Sequence, residues 1–109
     1  MATKRRLSAI LALDVVGYSG MMQDDAAGVL ASLNAVYRSV VTPAVEAASG
    51  RVVKLLGDGA LIEFAAAAQA LQCAVQIQQD LRRPDSPHRS SPSIDLRAGL
   101  HAGDVIVEG

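Results

Sequence analysis

The sequence is poor in the residues that carry covalent or soft-metal chemistry. Its 109 residues include one cysteine, two histidines and no tryptophan. A single cysteine, Cys73, excludes an intrachain disulfide and a cysteine metal cluster, and we expect it to be a small buried hydrophobe in a helix. Only two histidines are present, and His88 lies in a loop while His101 is expected at the surface or a dimer interface, so a zinc site is not expected.

Strong net charge and long apolar runs are also missing. The formal net charge is -1 while half of the residues are hydrophobic, which predicts a globular chain without electrostatic attraction to nucleic acid or anionic membrane. The basic segment TKRR lacks interleaved aromatic residues, so we interpret residues 1–6 as a solvated lead-in to a strand. No apolar run approaches the roughly 20 residues that span a bilayer. We therefore expect one soluble, cytoplasmic domain over residues 7–109.

Two segments have the residue spacing of helices. Apolar residues, Tyr37 among them, recur at helical intervals from about Asp24 to Ala48, with Asp24 or Asp25 as the N-cap. Pro43 should kink this helix or begin a second one capped by Thr42. A further helix is predicted over residues 65–83. Its expected core-facing residues are Ala67, Leu71, Ala74, Ile77 and Leu81.

Four segments have the composition of strands. Residues 7–13 are nearly all apolar, which suits a central strand covered on both faces. Residues 51–64, RVVKLLGDGALIEF, contain two β-rich runs around a GDG turn and predict a hairpin. After a loop rich in proline and serine over residues 83–93, apolar Ile94, Leu96, Ala98 and Leu100 alternate with Asp95, Arg97, Gly99 and His101. This alternation predicts a strand with one buried face, and GDVIVEG begins another strand.

The order of these elements predicts an α+β, ferredoxin-like βαββαβ sheet with helices on one face, incomplete at its C-terminus. In that plan the first and third strands lie side by side and antiparallel. The end of the first strand therefore lies beside the hairpin turn, and Asp14 and Asp58 should be neighbours.

Two neighbouring carboxylates repel each other unless a cation neutralises them. Their hard oxygen atoms favour Mg²⁺ or Mn²⁺, and they could bridge two ions roughly 3.5 to 4 Å apart, with the Val15 carbonyl as a further ligand. The GYSG turn after Asp14 would offer backbone N–H groups to phosphate, which is a weak signal alone. Lys54 is equally compatible with a nucleotide contact and with an ordinary strand lysine. Asp14, taken by itself, would be interpreted as an acid that caps a helix or a turn.

Taken together, the motifs LALDVVGYS, GRVVKLLGDGALIEF and LRAGLHAGDVIVEG resemble the catalytic domain of the class III nucleotide cyclases, the adenylate and guanylate cyclases. The resemblance covers nearly the whole chain after residue 6. It implies catalytic, metal-binding roles for Asp14 and Asp58, with two Mg²⁺ or Mn²⁺ ions and the Val15 carbonyl as a ligand. The substrate-binding set that it implies comprises Gly17, Tyr18, Ser19, Lys54 and Gly57.

The resemblance also implies an activity and a partner. The family is a group of phosphorus-oxygen lyases in which the ribose 3′-hydroxyl attacks the α-phosphate in line. Lys54 matches the residue that contacts adenine, so ATP, giving cyclic AMP and pyrophosphate, is favoured over GTP. Family sites form between two chains, which implies a homodimer or a cyclase-like partner chain. The resemblance does not identify the general base, for which Asp14 is one candidate.

One expectation and two alternative hypotheses accompany this interpretation. The family's later Asn and Arg residues have no match here, so we expect an incomplete domain that is inactive by itself. A second hypothesis is a non-catalytic, cyclase-like module that binds nucleotide or dimerises in signalling. A phospho-acceptor domain like a response regulator is disfavoured, because the GDG hairpin joins two strands directly where such domains alternate strand and helix.

Overall fold

The computed structural model describes residues 3–83 and 93–108, with side chains over residues 8–83 and 93–103. Most of the predicted loop, together with His88, lies outside these residues. The elements run in the order βαββαβ, which confirms the predicted fold class. They are β1 (Thr3–Val15), α1 (Tyr18–Val36), a π-helical turn (Tyr37–Val41), α2 (Thr42–Ala47), β2 (Arg51–Leu56), β3 (Gly59–Phe64), α3 (Ala67–Leu81) and β4 (Leu96–Glu108).

The four strands form one sheet in the order β2-β3-β1-β4, and every neighbouring pair is antiparallel. The first and third strands are therefore adjacent, as predicted. Alternate residues of β1 face the helices and form the core with them, and the cluster includes Leu11 and Leu13 of β1, Val36 of α1 and Ile77 of α3. The opposite surface, which we call the open face, carries the half-buried Ile10, Ala12 and Asp14 of β1.

Two predictions about β1 are therefore wrong. The strand begins at Thr3 rather than Leu7, because residues 3–6 pair with residues 105–108 of β4, so the basic segment is strand rather than lead-in. The expectation that both faces are covered also fails, since the helices of the described residues pack on one side of the sheet. A continuous apolar run does not by itself distinguish a strand covered on both faces from one covered on a single face.

The last strand is longer and less buried than its sequence predicted. Because pairing with β1 continues through Gly103, no new strand begins there, and β4 runs unbroken to Glu108. Ile94 and Leu96 are buried, but Ala98 and Leu100 are exposed although they pair with core-facing residues of β1. The predicted buried face is thus confirmed only for its first half.

The first helix begins earlier than predicted, at Tyr18, and it is kinked at Asp25, whose backbone is not helical. The Asp25 carboxylate accepts a hydrogen bond from the Gly28 N–H (3.0 Å), so Asp25 caps the part of α1 after the kink. Pro43 lies at the start of α2, as predicted, but Thr42 makes no side-chain cap. The chain enters α2 directly from the π-helical turn, so no free helix end remains there to be capped.

The third helix faces the core through a different set of residues from the one predicted. Ile77 and Leu81 are buried as expected, whereas Leu71 is 56% exposed. The buried residues of α3 are Ala70, Cys73, Ile77 and Leu81. Burial of Cys73 is confirmed, and desolvation raises the pKa of its thiol to about 11. Within the described ranges, no helix has both the length and the apolar character needed to cross a bilayer.

Candidate functional site

The end of β1 and the β2–β3 turn are joined through their backbones. The N–H of Val15 donates a hydrogen bond to the carbonyl of Asp58 (2.8 Å), and Asp14 lies opposite Gly59 in the β1–β3 register. A Cβ at Gly59 would lie 2.1 Å from the carbonyl oxygen of Leu13, so only glycine permits this close approach. The structure therefore confirms that Asp14 and Asp58 are neighbours at the same end of the sheet.

The turn after Asp14 lies at the same end of the sheet. Gly17 has φ = 69°, a left-handed conformation that glycine adopts without strain, and α1 begins at the next residue. The Tyr18 hydroxyl lies 3.3 Å from the position that a Cβ would take at Gly57, so this side chain reaches the hairpin turn. The first N–H groups of α1, including those of Tyr18 and Ser19, thus belong to the same end of the sheet as Asp14.

Asp14 has a cationic partner that the sequence interpretation missed. Arg97 lies opposite Asp14 in the β1–β4 register, and its Nη2 donates a hydrogen bond to Asp14 Oδ2 (2.7 Å). The two side chains are 49% (Asp14) and 71% (Arg97) exposed. The alternation of β4 predicts Arg97 on the polar side of its strand, which is confirmed, but only the strand register identifies Asp14 as its partner.

Tyr37 carries a buried hydroxyl that the sequence pattern did not reveal. The hydroxyl oxygen of Tyr37 is buried, and it has no hydrogen-bond partner among the described residues. Burial, and secondly the negative charge of Asp58, raise the pKa of Tyr37. Helical spacing identified Tyr37 only as a core-facing residue, and it carried no signal for a polar role.

Lys54 does not join this group of residues. It lies on the edge strand β2 and pairs with Leu61, which places it on the open face with Asp14 but two strands away. All six residues of β2 are exposed, so the apolar residues beside Lys54 in sequence do not bury it.

Two carboxylates and a backbone carbonyl suit a particular kind of metal site. Among the described residues, no group of three or more histidine, cysteine, aspartate or glutamate side chains could hold a metal ion. Mg²⁺ and Mn²⁺ prefer oxygen ligands, and Mg²⁺ is commonly held by one or two carboxylates together with water and substrate phosphate oxygens. The half-exposed carboxylate of Asp14 leaves room for such ligands. The residues present therefore fit an ion that completes its coordination with water or with the oxygen atoms of a bound ligand, rather than an all-protein cage.

Comparisons with known proteins give related sequences and structures. The chain is 41% identical over 105 residues to "Putative adenylate cyclase 3" of Rhizobium meliloti (strain 1021). It is 38% identical to the crystal structure of an adenylate/guanylate cyclase/hydrolase from Silicibacter pomeroyi, with a TM-score of 0.82 over 99% of the chain. The guanylyl cyclase Cya2 shares the fold, with a TM-score of 0.81 at 22% identity over 99% of the chain. No protein-family model matches the sequence.

These matches cover unequal parts of the relatives. The alignment with the Rhizobium meliloti protein takes in 96% of this chain but 18% of that protein. The chain spans 63% of the Silicibacter pomeroyi structure and 59% of Cya2.

Proposed function

The chain belongs to the class III adenylate/guanylate cyclase family, and we propose that it is part of a cytoplasmic nucleotide cyclase domain that converts ATP to cyclic AMP and pyrophosphate. We further propose that it works as a dimer with two Mg²⁺ or Mn²⁺ ions. The observation that carries this proposal is the Val15–Asp58 hydrogen bond, because it joins the two segments that bear Asp14 and Asp58.

In the proposed site, the carboxylates of Asp14 and Asp58 and the carbonyl of Val15 would hold the metal ions. When bound, such ions lower the pKa of an attacking hydroxyl and offset the charge of the phosphates. The protein's task is to keep the two carboxylates at one place. The close contact of Gly59 with Leu13 and the β1–β3 register support this role.

The turn from Gly17 to Ser19 is proposed to bind the triphosphate. Its left-handed glycine and the first N–H groups of α1 are the features that favour an anion at a helix N-terminus. The contact between Tyr18 and Gly57 supports this assignment, because it brings the turn to the hairpin that carries Asp58. Arg97 lies beside Asp14, so a positive charge stands at the same end of the sheet.

Lys54 is proposed to contact the base and to favour adenine over guanine. Lys54 lies two strands from Asp14, on an exposed edge strand. This position supports a site between two chains, in which Lys54 of one chain contacts the base of a nucleotide bound at the carboxylates of the other. The relevant comparison is Lys54→Glu, for which we expect a lower ratio of ATP-analogue to GTP-analogue affinity than in the parent. An unchanged ratio would remove Lys54 from base selection.

Calorimetry with Mn²⁺ and a non-hydrolysable ATP analogue tests the metal site. We expect the parent chain to bind the Mn²⁺ complex and Asp58→Asn to lose most of the affinity. Glu46→Gln is a matched control, because Glu46 is an exposed acid on α2 whose neutralisation changes net charge by the same amount. Equal binding by the parent and Asp58→Asn would contradict the proposal. Nucleotide binding without turnover in a complete dimer would favour the non-catalytic alternative.

A further inference from the structure

Gly57, in the turn between β2 and β3, is restricted by a neighbouring side chain rather than by its own backbone. Gly17 is the only described glycine with a left-handed φ, so alanine could adopt the conformation of Gly57 without strain. Among the described residues, a Cβ at Gly57 would meet one atom within 4 Å beyond its chain neighbours, the hydroxyl oxygen of Tyr18 at 3.3 Å. The Tyr18 hydroxyl therefore occupies the space that a larger residue at position 57 would need.

The side chain of Tyr18 is held at its base. Tyr18 is the first residue of α1, directly after the left-handed Gly17, and its half-buried ring packs against the hydrophobic core. A tyrosine side chain turns about two bonds only, so this packing leaves its hydroxyl little freedom. The position of the hydroxyl therefore follows the start of α1, where the proposed phosphate-binding N–H groups lie.

The hairpin turn is contacted twice by the chain where β1 passes into α1. The N–H of Val15 donates a hydrogen bond to the carbonyl of Asp58 (2.8 Å). The Tyr18 hydroxyl lies against Gly57, the residue before Asp58. Asp58 is itself exposed, so burial does not fix its carboxylate, whose position depends on the backbone of this turn. A shift at the start of α1 would therefore be transmitted to Asp58.

We propose that Tyr18 is a positioning residue whose hydroxyl, through its contact with Gly57, couples phosphate binding at residues 17–19 to cation binding at Asp58. This inference rests on the proposed function, because it takes residues 17–19 as the phosphate-binding turn and Asp58 as a metal ligand. Phosphate at the turn fixes the start of α1, and the hydroxyl then holds the hairpin in the position at which Asp58 binds the cation. By reciprocity, a bound cation strengthens phosphate binding by the same factor.

The test is a double-mutant cycle of Tyr18→Phe and Gly57→Ala. Calorimetry gives the affinity for a non-hydrolysable ATP analogue with EDTA and with saturating Mn²⁺, and the ratio of these two affinities measures the coupling. We expect each single variant to lower this ratio about fivefold, since Tyr18→Phe removes the contact and Gly57→Ala crowds it. The double variant should regain the parent's ratio, because the alanine methyl group takes the place of the hydroxyl.

The ratio also separates a positioning role from a structural one, because a folding defect would weaken both affinities alike. The matched control is Gly99→Ala on β4, where a Cβ would meet no atom within 4 Å, and it should keep the parent's ratio. An unchanged ratio in Tyr18→Phe, or additive losses in the double variant, would overturn this inference alone. Failure of the parent to bind the analogue with Mn²⁺ would overturn the proposed function and this inference together.

Discussion

Among the side chains that the structure describes, two arginine–carboxylate pairs lie on the open face of the sheet, and their carboxylates differ in burial. Arg51 contacts Glu63 (2.8 Å), and Arg97 contacts Asp14 (2.7 Å). The Glu63 side chain is 9% exposed and also accepts a hydrogen bond from the Ser8 hydroxyl (3.3 Å), whereas the Asp14 side chain is 49% exposed. The carboxylate of Glu63 is therefore enclosed, whereas the carboxylate of Asp14 is open to solvent.

The difference separates a structural carboxylate from one that is available to a ligand. Removal of a buried acid from its partners leaves polar groups without hydrogen bonds, so Glu63 should matter to stability. An exposed ion pair contributes little to stability, so the Asp14–Arg97 pair should matter mainly to binding. The predictions below test this division, beginning with the largest expected effect.

The close contact beside Asp14 should be the most sensitive point of the open face. Gly59→Ala would place a Cβ against the carbonyl oxygen of Leu13, and we expect it to reduce the free energy of unfolding by about 3 kcal/mol. Gly99→Ala is the control on β4, where a Cβ would meet no atom within 4 Å. Urea unfolding of both variants gives the comparison. Equal losses would show that the β1–β3 approach is not the constraint.

Metal binding should depend on Asp14 and not on Glu63. In Asp14→Asn we expect the affinity for Mn²⁺ to fall by about 100-fold, since a direct ligand should matter at least as much as the groups that orient one. Glu63→Gln should retain the parent's affinity, because Glu63 is enclosed by Arg51 and Ser8. The rise in melting temperature on adding Mn²⁺ measures both. A rise in Asp14→Asn as large as in the parent would place the metal away from Asp14.

The free energy of unfolding without metal should depend more on Glu63 than on Asp14. We expect Glu63→Ala to lower the free energy of unfolding by about 2 kcal/mol, because it removes charged hydrogen bonds from a buried position. Asp14→Ala should lower it by less than about 1 kcal/mol, as is usual for exposed pairs. Urea unfolding in a metal-free buffer checks both values. If the loss in Asp14→Ala were the larger, the Asp14–Arg97 pair would be structural.

The smallest expected effect concerns Arg97. Its positive charge lies against a carboxylate that is proposed to bind a cation, so Arg97→Gln should raise the affinity for Mn²⁺ alone about threefold. Raising the salt concentration should reduce the difference between variant and parent, because both side chains are exposed. Calorimetry at two salt concentrations measures the effect. A lower affinity in the variant would show that Arg97 instead holds Asp14 in its binding position.

The local features of the fold and the order of its strands were predictable from the sequence, and the side-chain contacts between distant strands were not. The GDG hairpin follows from turn chemistry, and the order of elements then requires Asp14 and Asp58 to be neighbours. The Arg97 pairing depends on the β1–β4 register across a loop, which short-range patterns do not specify. Tyr37 looked like an ordinary core residue, because helical spacing describes the ring and not its hydroxyl.

Burial was predicted less well wherever it depends on what covers an element. On α3, the predicted core residue Leu71 is exposed while Ala70 is buried, because the direction of the helix face is set by the strands beneath it. On β4, Leu100 has the alternation of a core residue but is 45% exposed. Periodicity predicts that a face exists, but not which other element packs against it.

The central claim, that Asp14 and Asp58 form a divalent metal site for a nucleotide, is tested most directly by a crystal structure with Mn²⁺ and an ATP analogue. We expect anomalous-scattering peaks about 2 to 2.2 Å from carboxylate oxygens of both aspartates, with phosphate oxygens completing the coordination. Well-ordered nucleotide without such peaks, or peaks at Glu63 instead of Asp14 and Asp58, would contradict the account.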